Sequence, residues 1–287
     1  MRLCIIIQSL RALILQATRR HWRQSIMKKT KINKLNVLEH NGINIEEYPD
    51  NTWELAPFPS QKGAVYNADN LATTNRHCFL LDEEFKKYLK LSESRWPENK
   101  KRDISWRLKT FIWAVDYALN TFGDKYAFIE CGTGQGYMAA SLAKRCVDKN
   151  IYPEVTLIDT FDNDLATSPT TTVASPADFA YCNNYEEVKL YFNRYQNIST
   201  LCGFIPHILN SKSFGKVSFL HIDLNNAAAE LAALDFFDES LVAGAIILLD
   251  DYGGHGGDEQ AQVHEDFARR INRALLPLPT GQAIIIK

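Results

Sequence analysis

A doubly wound α/β architecture, a seven-stranded and mostly parallel sheet with helices on both faces, is predicted for residues 105–287 from three observations. Short apolar runs alternate with longer segments of helical periodicity, the order of a strand–helix–strand chain. The runs are apolar throughout, so both of their faces are buried, as in a parallel sheet. Only Pro279-Thr280-Gly281-Gln282 separates the last two runs, and a connection that short joins antiparallel strands.

The elements follow in order. Trp106, Leu108, Phe111, Ile112, Val115 and Leu119 recur at three- and four-residue intervals, which gives a helix with one apolar face, closed by Gly123. Strands are then expected at 126–130, 155–159, 198–202, 217–223 and 245–250, with helices at 137–149, 185–195, 227–241 and 259–275. The closing pair is 276–278 and an antiparallel last strand at 283–286.

Upstream, residues 28–104 are expected to be an N-terminal extension that covers the substrate side. Asn41-Gly42, Pro49-Asp50-Asn51 and Pro57-Phe58-Pro59 mark turns, and residues 82–89 have helical spacing. Residues 1–27 read as a flexible or amphipathic arm. Cys4-Ile5-Ile6-Ile7 and Leu13-Ile14-Leu15 are apolar, but Arg11 interrupts them, so neither a signal peptide nor a stable membrane insertion is expected. Interfacial contact, a free arm, or sequence ahead of a start at Met27 are the readings left.

With 46% apolar residues the chain has enough side chains for a sizeable core. Its net charge of −2 gives no attraction to nucleic-acid phosphates, so a small-molecule partner is expected. The six cysteines are scattered without metal-ligand spacing, the pattern of reduced thiols in a cytoplasmic protein. Nothing in the sequence decides for or against a homo-oligomer.

The most informative stretch is Phe128-Ile129-Glu130-Cys131-Gly132-Thr133-Gly134-Gln135-Gly136-Tyr137, a strand running through a glycine turn into a helix. A dinucleotide fingerprint requires glycine where Tyr137 stands, and no Gly-Lys-Ser/Thr follows for a P-loop. Glu130 at the strand end repels a pyrophosphate and attracts the sulfonium and amino groups of S-adenosylmethionine. Gly132, Gly134 and Gly136 are therefore cofactor-binding candidates, against the plain alternative of a tight turn. Asp159 lies about 25 residues on, where a carboxylate can accept ribose hydroxyls or else cap a helix.

The fourth strand ends His221-Ile222-Asp223 and the fifth Leu249-Asp250-Asp251. Strand ends converge in this architecture, so Asp223, Asp250 and Asp251 form an all-oxygen set suited to Mg²⁺, with Asp223 also near the cofactor. Such crowding requires a cation, a basic partner or protonation. Asp250, Asp251 and His255, the last in the Gly253–Gly257 loop, are the candidate catalytic groups for proton removal. The alternatives are capping acids and a surface histidine.

At these residues a resemblance can be stated. Asp223-Leu224-Asn225, Glu230 with Ala233-Leu234 and Phe236-Phe237, Leu241-Val242-Ala243-Gly244-Ala245, Leu249-Asp250-Asp251-Tyr252-Gly253, Glu259-Gln260 and Leu278-Pro279-Thr280-Gly281-Gln282 resemble the macrocin O-methyltransferase-like branch of class I methyltransferases. Asn70-Leu71-Ala72-Thr73, Asp82 with Phe85, and Trp106-Arg107 are similar as well, so the likeness runs from about residue 70 to the end. It implies a Rossmann-like fold, S-adenosylmethionine, a divalent cation held by the aspartates, and methyl transfer to a hydroxyl, often of a sugar. The chain departs from the branch's D-x-D-x-Y pattern, because Asn225 and Ala227 stand at its second acid and its tyrosine. A metal-independent methyltransferase and a non-catalytic cofactor-binding protein are the alternatives.

Overall fold

The computed structural model describes residues 45–47, 53–55, 66–69, 71–73, 78–96, 103–161, 185–253 and 258–287. Two compact units divide the chain, Met1–Val65 and Tyr66–Lys287. In the first, β1 (Ile45–Glu47) and β2 (Trp53–Leu55) pair antiparallel. The predicted arm 1–27 lies outside the described residues.

The second unit begins well before the predicted boundary at 104/105. It opens with the hairpin of β3 (Tyr66–Ala68) and β4 (Leu71–Thr73), followed by helix α1 (Glu83–Glu93). Asp82 caps α1 by accepting the Glu84 amide at 2.8 Å. Phe85 and Tyr88 of α1 are buried in the same cluster as α2 (Ser105–Phe122), so this segment shares the core of the sheet domain. Arg145 adds a polar tie, pairing with Asp116 of α2 and Glu84 of α1 at 2.6 and 2.7 Å.

The predicted alternation follows: β5 (Ala127–Cys131), α3 (Tyr137–Lys149), β6 (Val155–Asp159), α4 (Tyr185–Phe192), β7 (Ile198–Cys202) and β8 (Val217–Ile222). It ends with α5 (Ala227–Phe237), β9 (Leu241–Leu249), α6 (Asp258–Arg270), β10 (Leu275–Pro277) and β11 (Ala283–Ile286). The seven strands run in the order β10-β11-β9-β8-β5-β6-β7. All neighbours from β9 to β7 are parallel, and β11 is antiparallel to both β9 and β10.

Three helices are shorter than their periodicity predicts: α4 ends at Phe192, and strand formation shortens α5 and α6. Leu241 pairs with Val217, so residues 241–244 belong to a strand that starts early and crosses an irregularity at Gly244 (φ 83°). Helix α6 stops at Arg270, with Asn272 in the left-handed region (φ 53°), because Leu275 is taken up by β11. In both cases strand pairing outweighs a weak helical pattern at the helix end.

One apolar cluster joins the sheet to α1, α2, α3 and α4, and the other joins its opposite face to α5 and α6. Among the described residues no helix is long and apolar enough to cross a membrane. Cys78, Cys131 and Cys146 are free thiols.

Candidate active site

Parallel strands deliver their carboxyl ends to one edge of the sheet, where ligands bind in this architecture. Every described site residue predicted from the sequence lies in or just after β5, β6, β8 or β9 at that edge. Asp159 and Asp250 are three strand spacings apart along it, about 14 Å. His255 lies outside the described residues.

The turn after β5 carries Gly132, Gly134 and Gly136 at φ 94°, 54° and 83°. A Cβ on Gly132 would lie 1.7 Å from the Asp223 carbonyl oxygen, and one on Gly136 would lie 2.5 Å from the Phe192 ring. The sequence suggested bare backbone for a ligand. At these two positions the protein's own packing already demands it, whereas a Cβ on Gly134 meets nothing nearer than 3.6 Å. Asp159 holds the same turn: Oδ2 accepts the Gly134 amide and Oδ1 the Phe161 amide, both at 2.7 Å.

On the α2 side of the sheet a buried polar row crosses four adjacent strands: Glu130, His221, Asp250 and Gln282. His221 lies between two carboxylates, with Nδ1 3.4 Å from Glu130 Oε1 and Nε2 3.7 Å from Asp250 Oδ1, under the edge of Phe111. Burial opposes a charge on His221, but the flanking Asp250 and Glu130 carboxylates outweigh it, and the imidazole is pushed up to about 10.

Asp250 is the most constrained of the three aspartates. Arg107 of α2 donates to its Oδ2 and, at 2.9 Å, to its backbone carbonyl, and Gln282 donates to Oδ1 at 2.7 Å. The same guanidinium pairs with Asp69 at 2.9 Å and donates to the Thr280 carbonyl at 3.2 Å. Burial alone would raise the Asp250 carboxyl. Arg107 and His221 overcome that and hold it well below the usual carboxylate range.

Oxygens of Asp223, Asp250 and Asp251 lie within 4.8 Å of one another. Asn225, itself left-handed at φ 52°, ties the other two together: its amide donates to Asp251 Oδ2 at 3.1 Å and its side chain to Asp223 Oδ1 at 3.3 Å. Burial and neighbouring acids drive both carboxyls upward, Asp251 to about 7.

Behind Asp251, α5 and α6 bury a second acid–imidazole pair, Glu230 Oε2 and His264 Nε2 at 2.7 Å. Burial pushes Glu230 up to about 8 and His264 down to about 4, so between these values the pair holds one proton and carries no net charge. A carboxyl whose folded pKa is raised contributes stability that is full below its unfolded value and is lost as pH rises through the folded value. Between pH 6.5 and 8 the wild type therefore loses up to about 1.4 kcal/mol per pH unit through Glu230. Glu230→Gln removes this slope. Urea unfolding at pH 6.5, 7.2 and 8 should show the variant gaining on the wild type, and parallel curves would mean that the folded Glu230–His264 pair holds no extra proton in this range.

Arg107, Gln282, His221, Glu230 and His264 were not singled out as functional from the sequence. Arg107, Glu230 and Gln282 stand in strings that carry the resemblance, Trp106-Arg107, Glu230 with Ala233-Leu234 and the closing Gly281-Gln282, and that is the one signal that could have marked them.

No family model matches the chain, and no curated protein matches it. Solved structures do. The O-methyltransferase NovP is 14% identical with a TM-score of 0.53, over 63% of this chain and 79% of that one. The calicheamicin methyltransferase CalS11 is 15% identical with a TM-score of 0.50, over 79% of this chain and 99% of that one. At such identities the likeness is one of fold: the chain has the Rossmann-like α/β fold of these methyltransferases.

Proposed function

We propose that this chain is an S-adenosylmethionine-dependent O-methyltransferase of the macrocin O-methyltransferase-like branch, acting with Mg²⁺ on a hydroxyl of a sugar or other small metabolite. The observation that carries this reading is the convergence of Asp223, Asp250 and Asp251 on β8 and β9, one strand from the glycine turn on β5.

The residues suit a divalent cation. Oxygens across a Mg²⁺ or Ca²⁺ shell stand about 4–5 Å apart, matching a set held within 4.8 Å. The raised carboxyls of Asp223 and Asp251 mark negative charge that protein cations leave uncompensated. Asp223, Asp250 and Asp251 would hold the ion, with the Asn225 amide beside them. A bound cation supplies Lewis acidity that makes a nearby hydroxyl easier to deprotonate.

The chain's own residues do the rest. Gly132, Gly134 and Gly136 with Glu130 receive the amino-acid end of the cofactor, and Asp159 its ribose. Asp250, kept anionic by Arg107, anchors the acidic set. Asp251 Oδ2 is engaged by the Asn225 amide, which leaves Oδ1 to take the acceptor's proton. His255 is the other proton acceptor in this reading. Holding the acceptor oxygen in line with the methyl group supplies much of the rate.

Methyl-labelled cofactor, a panel of nucleotide sugars and hydroxylated metabolites, and parallel assays with Mg²⁺ or EDTA test the reading. The expected result is labelled product that EDTA abolishes, and absence of S-adenosylhomocysteine binding by calorimetry would remove the proposal. Asp251→Asn should lower kcat roughly 100-fold or more while S-adenosylhomocysteine affinity changes less than about threefold. Undiminished kcat would exclude Asp251 as the base. One observation favours a second reading: Arg107 already brings a positive charge to Asp250, as a metal-independent enzyme requires. Turnover that survives EDTA would select it.

A further inference from the structure

The C-terminal end of α1 places two side chains, Arg95 and Trp96, against the start of α3, and neither has a role in the site described above. Arg95 Nε donates to the Gln135 carbonyl of the glycine turn at 3.0 Å, and its guanidinium covers the Tyr191 ring at 4.1 Å. Only 10% of its side chain is exposed, yet its one carboxylate neighbour within 4 Å among the described residues is Glu187 Oε1, at 3.9 Å. A second cation, Arg194, occupies the same ring at 4.1 Å. A desolvated guanidinium beside another guanidinium, with so distant a counter-charge, is an anion site in waiting.

Two independent observations point the same way. Trp96 stacks on Tyr137, the first residue of α3, with ring centroids 4.7 Å apart, and its buried indole N–H has no acceptor among the described residues. A buried donor left without an acceptor is costly, and a bound ligand supplies one. Helix α3, 13 residues long, has no side-chain cap and no acid in its first turn. Its leading amides and dipole therefore favour a negative group at the same place.

We propose that Arg95, assisted by the Trp96 indole N–H and the first turn of α3, binds the carboxylate of the cofactor's amino-acid end. The inference rests on the methyltransferase reading, because it is the amino-acid tail of S-adenosylmethionine that carries a carboxylate to the glycine turn. Arg95 thereby joins ligand recognition to the packing of α1 on the turn through Gln135.

The test separates this inference from the reading beneath it by using two ligands, S-adenosylhomocysteine and its decarboxylated form, the 3-aminopropyl thioether of 5′-deoxyadenosine. Calorimetry on the full chain should show the wild type binding S-adenosylhomocysteine roughly 10- to 100-fold more tightly, as expected for a charge-assisted contact. In Arg95→Met that gap should close to about threefold or less, through loss of S-adenosylhomocysteine affinity alone. Arg95→Lys should restore part of it, and Trp96→Phe, which keeps the stack, should narrow it. A gap that persists in Arg95→Met overturns the inference while leaving the cofactor reading intact. Equal weakening of both ligands also overturns it, by showing that Arg95 only shapes the turn. A wild type that binds neither ligand removes the methyltransferase reading and this inference together. Should Arg95→Met fold poorly, the comparison of Arg95→Lys and Trp96→Phe with the wild type decides the matter, since unchanged gaps in both refute the assignment.

Discussion

Gly132→Ala should cost about 3 kcal/mol of stability or more and abolish S-adenosylhomocysteine binding. The new Cβ would stand 1.7 Å from the Asp223 carbonyl oxygen, a backbone atom that cannot rotate away, and φ is 94° at this residue. Relief requires β5 and β8 to separate just where the glycine turn meets the acidic set. Gly134→Ala is the internal control. Its φ of 54° is a region alanine reaches at about 1–2 kcal/mol, and nothing lies closer than 3.6 Å. Urea unfolding of the two variants should therefore differ clearly, and similar losses would show that turn flexibility, not the approach of Asp223, sets the requirement.

Arg107→Met should be comparably damaging, by about 3–5 kcal/mol, because it strands the buried Asp250 carboxylate with only Gln282 and His221 beside it. Lysine should rescue little of this. A single ammonium cannot fork to Asp69, Asp250 and Thr280 as the guanidinium does. Combining Arg107→Met with Asp250→Asn should recover part of the loss, since the stranded charge is then gone. The sign of the pH dependence follows from the depressed pKa of Asp250. Its ionic contribution is complete above the unfolded value of about 4 and disappears as pH falls through the folded value. In Arg107→Met the unpaired carboxyl takes up a proton more readily, so the deficit should narrow towards pH 4. A deficit that is constant with pH would mean that Arg107 acts through packing alone.

These two predictions differ in how far the sequence could have supplied them. The glycine turn was legible as a turn, since three alternating glycines between an apolar strand and a helix admit little else. What the glycines avoid was not legible, because the Asp223 carbonyl belongs to a strand far along the chain. The convergence of Asp223, Asp250 and Asp251 was likewise readable, as strand ends meet in a doubly wound sheet. Their unequal environments were not. Asp250 is gripped by Arg107 from 143 residues away and Asp251 is held by Asn225, and no local pattern distinguishes two adjacent aspartates in that respect.

The sequence by itself determined the succession of strands and helices and the antiparallel close, because periodicity, apolar runs and a four-residue connection are local properties that any fold must respect. It left open which acid is neutralised by an arginine, which is crowded by other acids, and that residues 66–96 join the sheet domain. Only the tertiary structure decided these. Charge compensation and burial depend on distances between groups far apart in the chain, and those distances exist only once the strands have taken their places.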